Sequence, residues 1–450
     1  MQSQFDVAIV GGGPAGSTLA ALLAMRGIKS IVFDDDKRPS LLVGESLLPT
    51  VVMLMRRLGI EDRVKAFSVH KPGVAFIHRS GSRLDFFFPE KALGKLPNYA
   101  YNVPRPEFDN LLRDRAIELG AVFVKCRAGL EAGTSGSGRE IQLDAETLAA
   151  VPELGGRHPK LLVDSTGRAR TFAKVLGVGA TRGKRNDIAY FAHFENFESD
   201  SIRDGQVVIS TLSKGWSWRI PLQGRLSVGV VVDKDVAKSH GTTPEERLES
   251  IIASEPLLKD AGKNRRRVTE VMTYTNYQLI SDRGHGPGWV SAGDAFGFVD
   301  PMLSPGLFMA MLSADLLDQF VFSGGAGVLD QPTRLARRFD RVFAELRDWH
   351  QSWAKIIEYF YDGRMYSLYE GGQKLREAYS KFAIASVWER HLTKQITGMV
   401  SGAKTRSRYA QKLVKFTSDH MVWGVAPPEE YAILTGAEKP VGEVAQLCKL

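Results

Sequence analysis

Phe5-Asp6-Val7-Ala8-Ile9-Val10-Gly11-Gly12-Gly13-Pro14-Ala15-Gly16 is the stretch that decides the fold. The apolar run Phe5–Val10 reads as a strand, and Gly11, Gly13 and Gly16 form a G-x-G-x-x-G turn behind it. Ser17–Arg26 then carries apolar residues at helical spacing, and Ile31-Val32-Phe33 reads as a second strand ending at Asp34. A strand, glycine turn, helix and strand, with an acid about 20 residues on, make a dinucleotide-binding unit. Gly11 permits the tight turn, Gly13 lets the backbone approach a pyrophosphate, and Gly16 packs helix on strand. Pro14 and Ala15 open the helix, whose free N–H groups face the phosphates, and Asp34 can accept from a ribose hydroxyl.

Outward from that unit the chain is α/β. The expected arrangement is a Rossmann-like dinucleotide-binding domain over 1–70, 100–185 and 280–330, with an inserted β-rich substrate-side domain over 71–99 and 186–279. A helical C-terminal region follows over 331–450. Val163-Asp164-Ser165-Thr166-Gly167 reads as a strand ending in a cofactor-side turn, and Gly133–Gly138 as a hairpin tip. Short β-rich runs dominate from about 185 to 280 (Ile188–Phe194, Gln206–Ser210, Trp216–Pro221, Leu226–Val232). Beyond 330, Leu335, Phe339, Val342, Leu346, Trp349, Trp353, Ile356 and Phe360 mark one helical face and read as core.

Composition narrows the function classes. With 44% hydrophobic and 24% charged residues among 450, the chain is globular rather than disordered, and large enough for two or three domain-sized units. No apolar run approaches the roughly 20 residues of a membrane helix, and the strand at Phe5 leaves no room for a signal peptide. Two cysteines, Cys126 and Cys448 in a polar tail, suit a reducing cytoplasm, and the nine histidines show no metal-ligand spacing. The net charge of +8 clusters at Lys263-Asn264-Arg265-Arg266-Arg267 and at Lys404, Arg406, Arg408, Lys412 and Lys415. Such runs are solvated surface or a docking patch for an acidic partner, and no nucleic-acid motif accompanies them.

Trp216-Ser217-Trp218-Arg219-Ile220-Pro221 places two tryptophans at i and i+2, on one face of a strand. Elsewhere Gly44-Glu45-Ser46-Leu47-Leu48-Pro49 follows the second strand, Arg105 begins R-x-x-F-D-x-x-L, and Gly293-Asp294-Ala295 is read as opening a helix. In this order the chain resembles the two-domain FAD-dependent aromatic monooxygenases. Within them, Trp216–Pro221 matches the W-x-W-x-I-P motif of flavin-dependent halogenases, and Phe298-x-x-Pro301-x-x-Ser304-x-Gly306 matches their F-x-x-P-x-x-S-x-G motif. Lys71 stands where halogenases sharing the Gly-Glu-Ser-Leu motif carry a catalytic lysine. The resemblance covers residues 5–310.

The resemblance implies that FAD is held by the glycine turn, Asp34, Glu45, Ser46, Arg105, Gly293, Asp294 and Pro301. It also implies a reaction through a flavin C4a-hydroperoxide and hypohalous acid. Trp216 and Trp218 would wall the substrate off from flavin, Ser304 would belong to the catalytic loop, and Lys71 would hydrogen-bond the oxidant or carry it as a haloamine. A lysine suits this, because burial lowers its pKa enough to expose an amine. Chloride or bromide would bind the N–H groups of Gly306 and Leu307, because Pro305 has none to donate. No second nicotinamide-binding glycine loop is visible, so FADH2 from a separate flavin reductase, with O2, is expected. The substrate implied is a phenol or pyrrole, free or presented by an acidic carrier protein. Two other readings stay open: an aromatic hydroxylase, and a non-catalytic FAD-binding subunit.

Overall fold

The structure is a computed structural model that describes residues 4–88, 94–134, 136, 138–183, 185–197, 203–259, 261–275, 278–378, 383–422 and 424–435. Cys448, Ser135 and Ser137 lie outside the described residues, although strands Leu130–Ala132 and Ile141–Leu143 pair antiparallel on either side of the expected hairpin tip.

Val7–Val10 is a central strand of a six-stranded sheet, flanked in parallel by Leu161–Asp164 and Ser30–Phe33, with Trp289–Ser291 and Val122–Val124 further out. The edge strand His285–Gly286 alone runs antiparallel among the described strands of this sheet. Val7–Val10 and Ser30–Phe33 are buried along their whole length, as parallel strands covered on both faces must be. Their carboxyl ends, with those of Leu161–Asp164 and Trp289–Ser291, open toward one crevice, the place where such sheets bind ligands.

A second, eight-stranded sheet carries the tryptophans. Its order is Arg266–Arg267, Asp187–Glu195, Arg225–Asp233, Trp216–Leu222, Val207–Thr211, Gly73–Ile77 and Arg83–Phe87, with Met272–Thr275 also pairing Asp187–Glu195. All its pairings are antiparallel except Val207–Thr211 with Gly73–Ile77. Strands Gly73–Ile77 and Arg83–Phe87 thus share one sheet with strands from Asp187 onward, although Leu161–Asp164 of the first sheet lies between them in the chain. Helices Lys234–Lys238, Pro244–Ser254 and Pro256–Lys259 interrupt the β-rich stretch expected between 185 and 280. The middle one had a legible start signal, the reciprocal capping box of Thr243 and Glu246.

Gly293-Asp294-Ala295 does not open an α-helix. It is one 3-10 turn, and the α-helix starts later at Pro305 and runs Pro305–Phe320. Gly293 has φ +62°, a left-handed conformation that glycine adopts without strain, and this breaks the helical path. Past 330 the chain is helical as expected: Pro332–Tyr361, Arg364–Ala378, Ala383–Val400 and Arg408–Phe416. The predicted stripe on Pro332–Tyr361 is core, with Trp349 half-buried.

Candidate active site

The crevice at the strand ends deepens into a cavity of about 540 Å³. Gly11, Gly12, Gly13, Pro14 and Ala15 form one wall, and Asp34, Arg38, Ser165, Thr166 and Asp294 join them. The glycines have separate reasons. Gly11 has φ +105°, and a Cβ there would come within 2.5 Å of the Ser165 carbonyl oxygen. A Cβ on Gly16 would lie 2.0 Å from the Gly11 oxygen, so Gly16 serves packing and does not reach the cavity wall. A Cβ on Gly13 would meet no protein atom, because Gly13 faces the open cavity. Helix Pro14–Met25 begins there without a side-chain cap, so its N-terminal N–H groups remain for an anion. This cradle fits the pyrophosphate of FAD. Asp34 is held by Arg38, whose Nη2 also donates to the Gly12 oxygen at 3.0 Å.

At the far wall stand Trp216, Trp218, Ile220, Val207 and Ile209. Alternation along Trp216–Leu222 puts both indoles on the cavity side, with ring centres 5.9 Å apart. A Cβ on Gly229, opposite Trp218 in the next strand, would come within 2.2 Å of the indole, so glycine there makes room for the ring. Each indole N–H is bound: Trp216 donates to the Tyr361 hydroxyl at 2.8 Å, and Trp218 to Ser227 Oγ at 3.3 Å.

Between the tryptophans and the glycine turn, Pro301, Ser304, Gly306 and Leu307 reach the cavity. Leu303 and Ser304 have φ +67° and +56°, both left-handed, and strain of that kind on two adjacent non-glycine residues concentrates at functional sites. The Ser304 N–H is taken by the Pro301 oxygen at 3.1 Å, and the Ser304 side chain does not cap the helix. Pro305 has no N–H, which leaves Gly306 and Leu307 as the donors of the first turn.

Glu45, Ser46 and Lys71 form the remaining part. Glu45 lines the cavity, where its Oε1 lies 2.6 Å from His193 Nε2, and both residues are buried. Arg105 lines it too, gripping Asp109 at 3.0 Å through Nε and Nη2 and the Val43 oxygen through Nη1. Ser46, next along the chain, points the other way, as neighbours in extended backbone do. Its Oγ accepts from Lys71 Nζ at 2.8 Å, and the Leu47 oxygen accepts from the same ammonium at 2.8 Å. Lys71 is 3% exposed and no carboxylate pairs with it among the described residues. Burial alone pulls its pKa from 10.5 down to about 7.

Of the residues singled out from the sequence, the structure gathers Gly11, Gly13, Pro14, Ala15, Asp34, Glu45, Arg105, Trp216, Trp218, Asp294, Pro301, Ser304, Gly306 and Leu307 around one cavity. Gly16, Ser46, Lys71 and Gly293 stand outside its wall. Gly293 packs on the glycine turn instead, where a Cβ would lie 3.0 Å from that of Ala15. Arg38, His193, Asp300 and Tyr361 were missed. Asp300 falls at a variable position of the Phe298–Gly306 motif, Arg38 pairs with nearby Asp34, and His193 and Tyr361 act through partners distant in sequence. The basic run at 263–267 is engaged within the chain: Arg265 pairs with Glu249, Arg266 with Glu195 and Arg267 with Glu245. Arg406 likewise pairs with Glu345 and Asp348, and Lys415 with Asp419. Neither cluster is a free cationic patch as a whole. Among the described residues no three His, Cys, Asp or Glu side chains gather as a metal site, and no helix is long and apolar enough to cross a membrane.

A cavity with a glycine cradle at one end and a tryptophan wall at the other defines a flavoprotein. The chain belongs to the FAD binding domain family, which matches residues 4–314. Within it the chain groups with the flavin-dependent halogenases, and halogenation is its reaction class. It is 28% identical over 418 residues to a tryptophan 2-halogenase of Chondromyces crocatus, covering 89% of this chain and 76% of that one. A 1H-pyrrole-2-carbonyl-[peptidyl-carrier protein] brominase of Pseudoalteromonas luteoviolacea is 27% identical over 392 residues, covering 82% and 88%. The solved myxobacterial chondrochloren halogenase superposes with a TM-score of 0.68 at 26% identity, over 80% of this chain and 82% of that one.

Proposed function

We propose that the protein halogenates an electron-rich aromatic ring, a pyrrole or phenol presented as a thioester on a carrier protein, and that Lys71 delivers the halogen. The observation that carries this reading is the Lys71 amine, buried without a carboxylate behind the segment that walls the flavin cavity. A buried lysine of that kind is costly unless its chemistry is used.

Reduced FAD, when bound, supplies the electrons with which O2 oxidises halide to hypohalous acid. Gly11, Gly13, Pro14, Ala15, Asp34, Arg105 and Asp294 would hold the cofactor, with Glu45 and Pro301 beside it. The Gly306 and Leu307 N–H groups would hold the halide beyond the strained Ser304 turn. Trp216 and Trp218 exclude the bulky aromatic substrate from the flavin face, which suppresses direct hydroxylation. Small hypohalous acid passes to Lys71. There the ammonium donates a hydrogen bond to its oxygen, or the neutral amine attacks the halogen, forming N–X as the X–O bond breaks and hydroxide leaves as water. Attack by the ring on the halogen then breaks N–X and forms C–X, and the proton the ring loses goes to the nitrogen, which restores the amine. A cytoplasmic two-component system, with a separate flavin reductase, fits the low cysteine usage and the lack of a second glycine loop.

The carrier-bound substrate is supported by two relatives, the brominase above and a chlorinase of Pseudomonas fluorescens, both named for pyrrole-2-carbonyl carriers. The test supplies reductase, FAD, NADH, halide and either pyrrole-2-carbonyl carrier thioester or free pyrroles and phenols. Halogenated thioester supports the reading. Halogenation of free rings alone overturns the tether, and hydroxylated product independent of halide overturns halogenation.

A further inference from the structure

Residues 331–450 contributed no motif, yet the last residue of helix Pro332–Tyr361 sits between the tryptophan wall and the Ser304 turn. The Tyr361 hydroxyl accepts from the Trp216 indole at 2.8 Å and donates to Asp300 Oδ1 at 3.2 Å, so both of its roles are used. Asp300 is fully buried. It also accepts from the Met302 N–H at 2.9 Å and from Gln278 Nε2 at 3.3 Å, and Arg185 Nε lies 3.7 Å away. The Arg185 guanidinium covers the Tyr361 ring at 3.3 Å from its centre and pairs with Asp187. The bond from Met302 to Asp300 shapes the turn that leads into left-handed Leu303 and Ser304 and then to the Gly306 and Leu307 donors.

We propose that Tyr361 is a positioning residue whose hydroxyl latches the Trp216 wall to the Asp300–Ser304 turn, so that the C-terminal helices set the geometry of the halide site. This rests on the function proposed above. The physical reason is a matter of donors. Without the hydroxyl, the Trp216 N–H loses its acceptor, and the Asp300 carboxylate loses one of the donors that balance its charge. A buried carboxylate left short of a donor beside an anion site opposes the anion.

The test is Tyr361→Phe, which keeps the ring under Arg185 and removes only the hydroxyl. In the apo-protein, the indole N–H resonance assigned to Trp216 through Trp216→Phe should move. In the loaded enzyme, FAD affinity should stay within about twofold, halide KM should rise about five- to twentyfold, and more turnover should end as hydrogen peroxide. An unmoved resonance, or an unchanged halide KM and peroxide fraction in a folded variant, overturns the latch. A wild-type enzyme without halide-dependent turnover contradicts the proposed function instead. If Tyr361→Phe does not fold, Asp300→Asn tests the other end, and an unmoved Trp216 resonance there overturns the proposal.

Discussion

Lys71 Nζ lies 2.8 Å from Ser46 Oγ, and the residue before Ser46, Glu45, faces the flavin cavity. The chain segment at Glu45–Ser46, bridged to Asn102, therefore lies between the amine and the cofactor chamber. Glu45 and Ser46 divide the work of that partition: one side chain turns toward His193 and the cavity, the other toward the lysine.

Because burial holds the Lys71 pKa at about 7, delivery through the neutral amine rises with pH through that value. Lys71→Arg cannot supply an amine and should lose halogenated product by at least about a hundredfold, with FAD binding and flavin reoxidation retained. Stopped-flow absorbance and product analysis read the two arms, and an active arginine variant would rule out the N–X route and leave hydrogen bonding by the cation.

The same burial affects stability. The folded chain releases the Lys71 proton near pH 7, the unfolded chain near 10.5. Between those values the unfolded state binds more protons, so stability rises with pH, and below about 7 the cost of the buried charge is fully present. Lys71→Met should accordingly be more stable than its parent near pH 6, with the advantage shrinking toward about pH 10. Urea titrations across that range measure it.

Two glycines in one motif should respond differently. Gly11→Ala forces a Cβ against the Ser165 backbone at a left-handed φ and should destabilise the apo-protein by roughly 1–3 kcal/mol. Gly13→Ala meets no protein atom, so the apo-protein should melt as before while FAD affinity falls about tenfold or more. Equal FAD affinity for Gly13→Ala and its parent would move the pyrophosphate elsewhere.

His193→Phe removes the hydrogen-bond partner of a buried carboxylate and should cost about 2–3 kcal/mol, whereas His193→Gln, which keeps a donor, should recover part of it. Chemical denaturation of the three proteins decides between a paired and an idle Glu45.

The sequence and the site are legible to different depths. The Phe5–Gly16 unit was readable because strand, glycine turn and helix follow one another in a single stretch, and Gly16 answers to the Gly11 oxygen of the same turn. The Trp216–Pro221 strand was readable because alternation fixes the facing of both indoles. Asp294 lines the cavity, but its expected helix is a 3-10 turn, since one left-handed glycine outweighs helical spacing. Tyr361 follows Phe360, the last residue of the core stripe, with nothing in the sequence to single it out, and His193 reads as one residue of a strand. Their roles arise from pairings to Trp216 and Glu45 that no window of sequence contains. The ion pairs of the basic runs are illegible for the same reason, because Glu249, Glu195 and Glu345 meet Arg265, Arg266 and Arg406 only in the fold.

The most direct test of the account is oxidation of halide itself. Purified protein would be given reduced FAD, air and bromide, with a small phenol as a trap for hypobromous acid, and analysed by mass spectrometry. The account predicts a bromine isotope pattern in the trap that requires the protein and vanishes without bromide. Hydrogen peroxide as the sole product, with the trap unbrominated in the presence and absence of carrier-bound pyrrole, would contradict it.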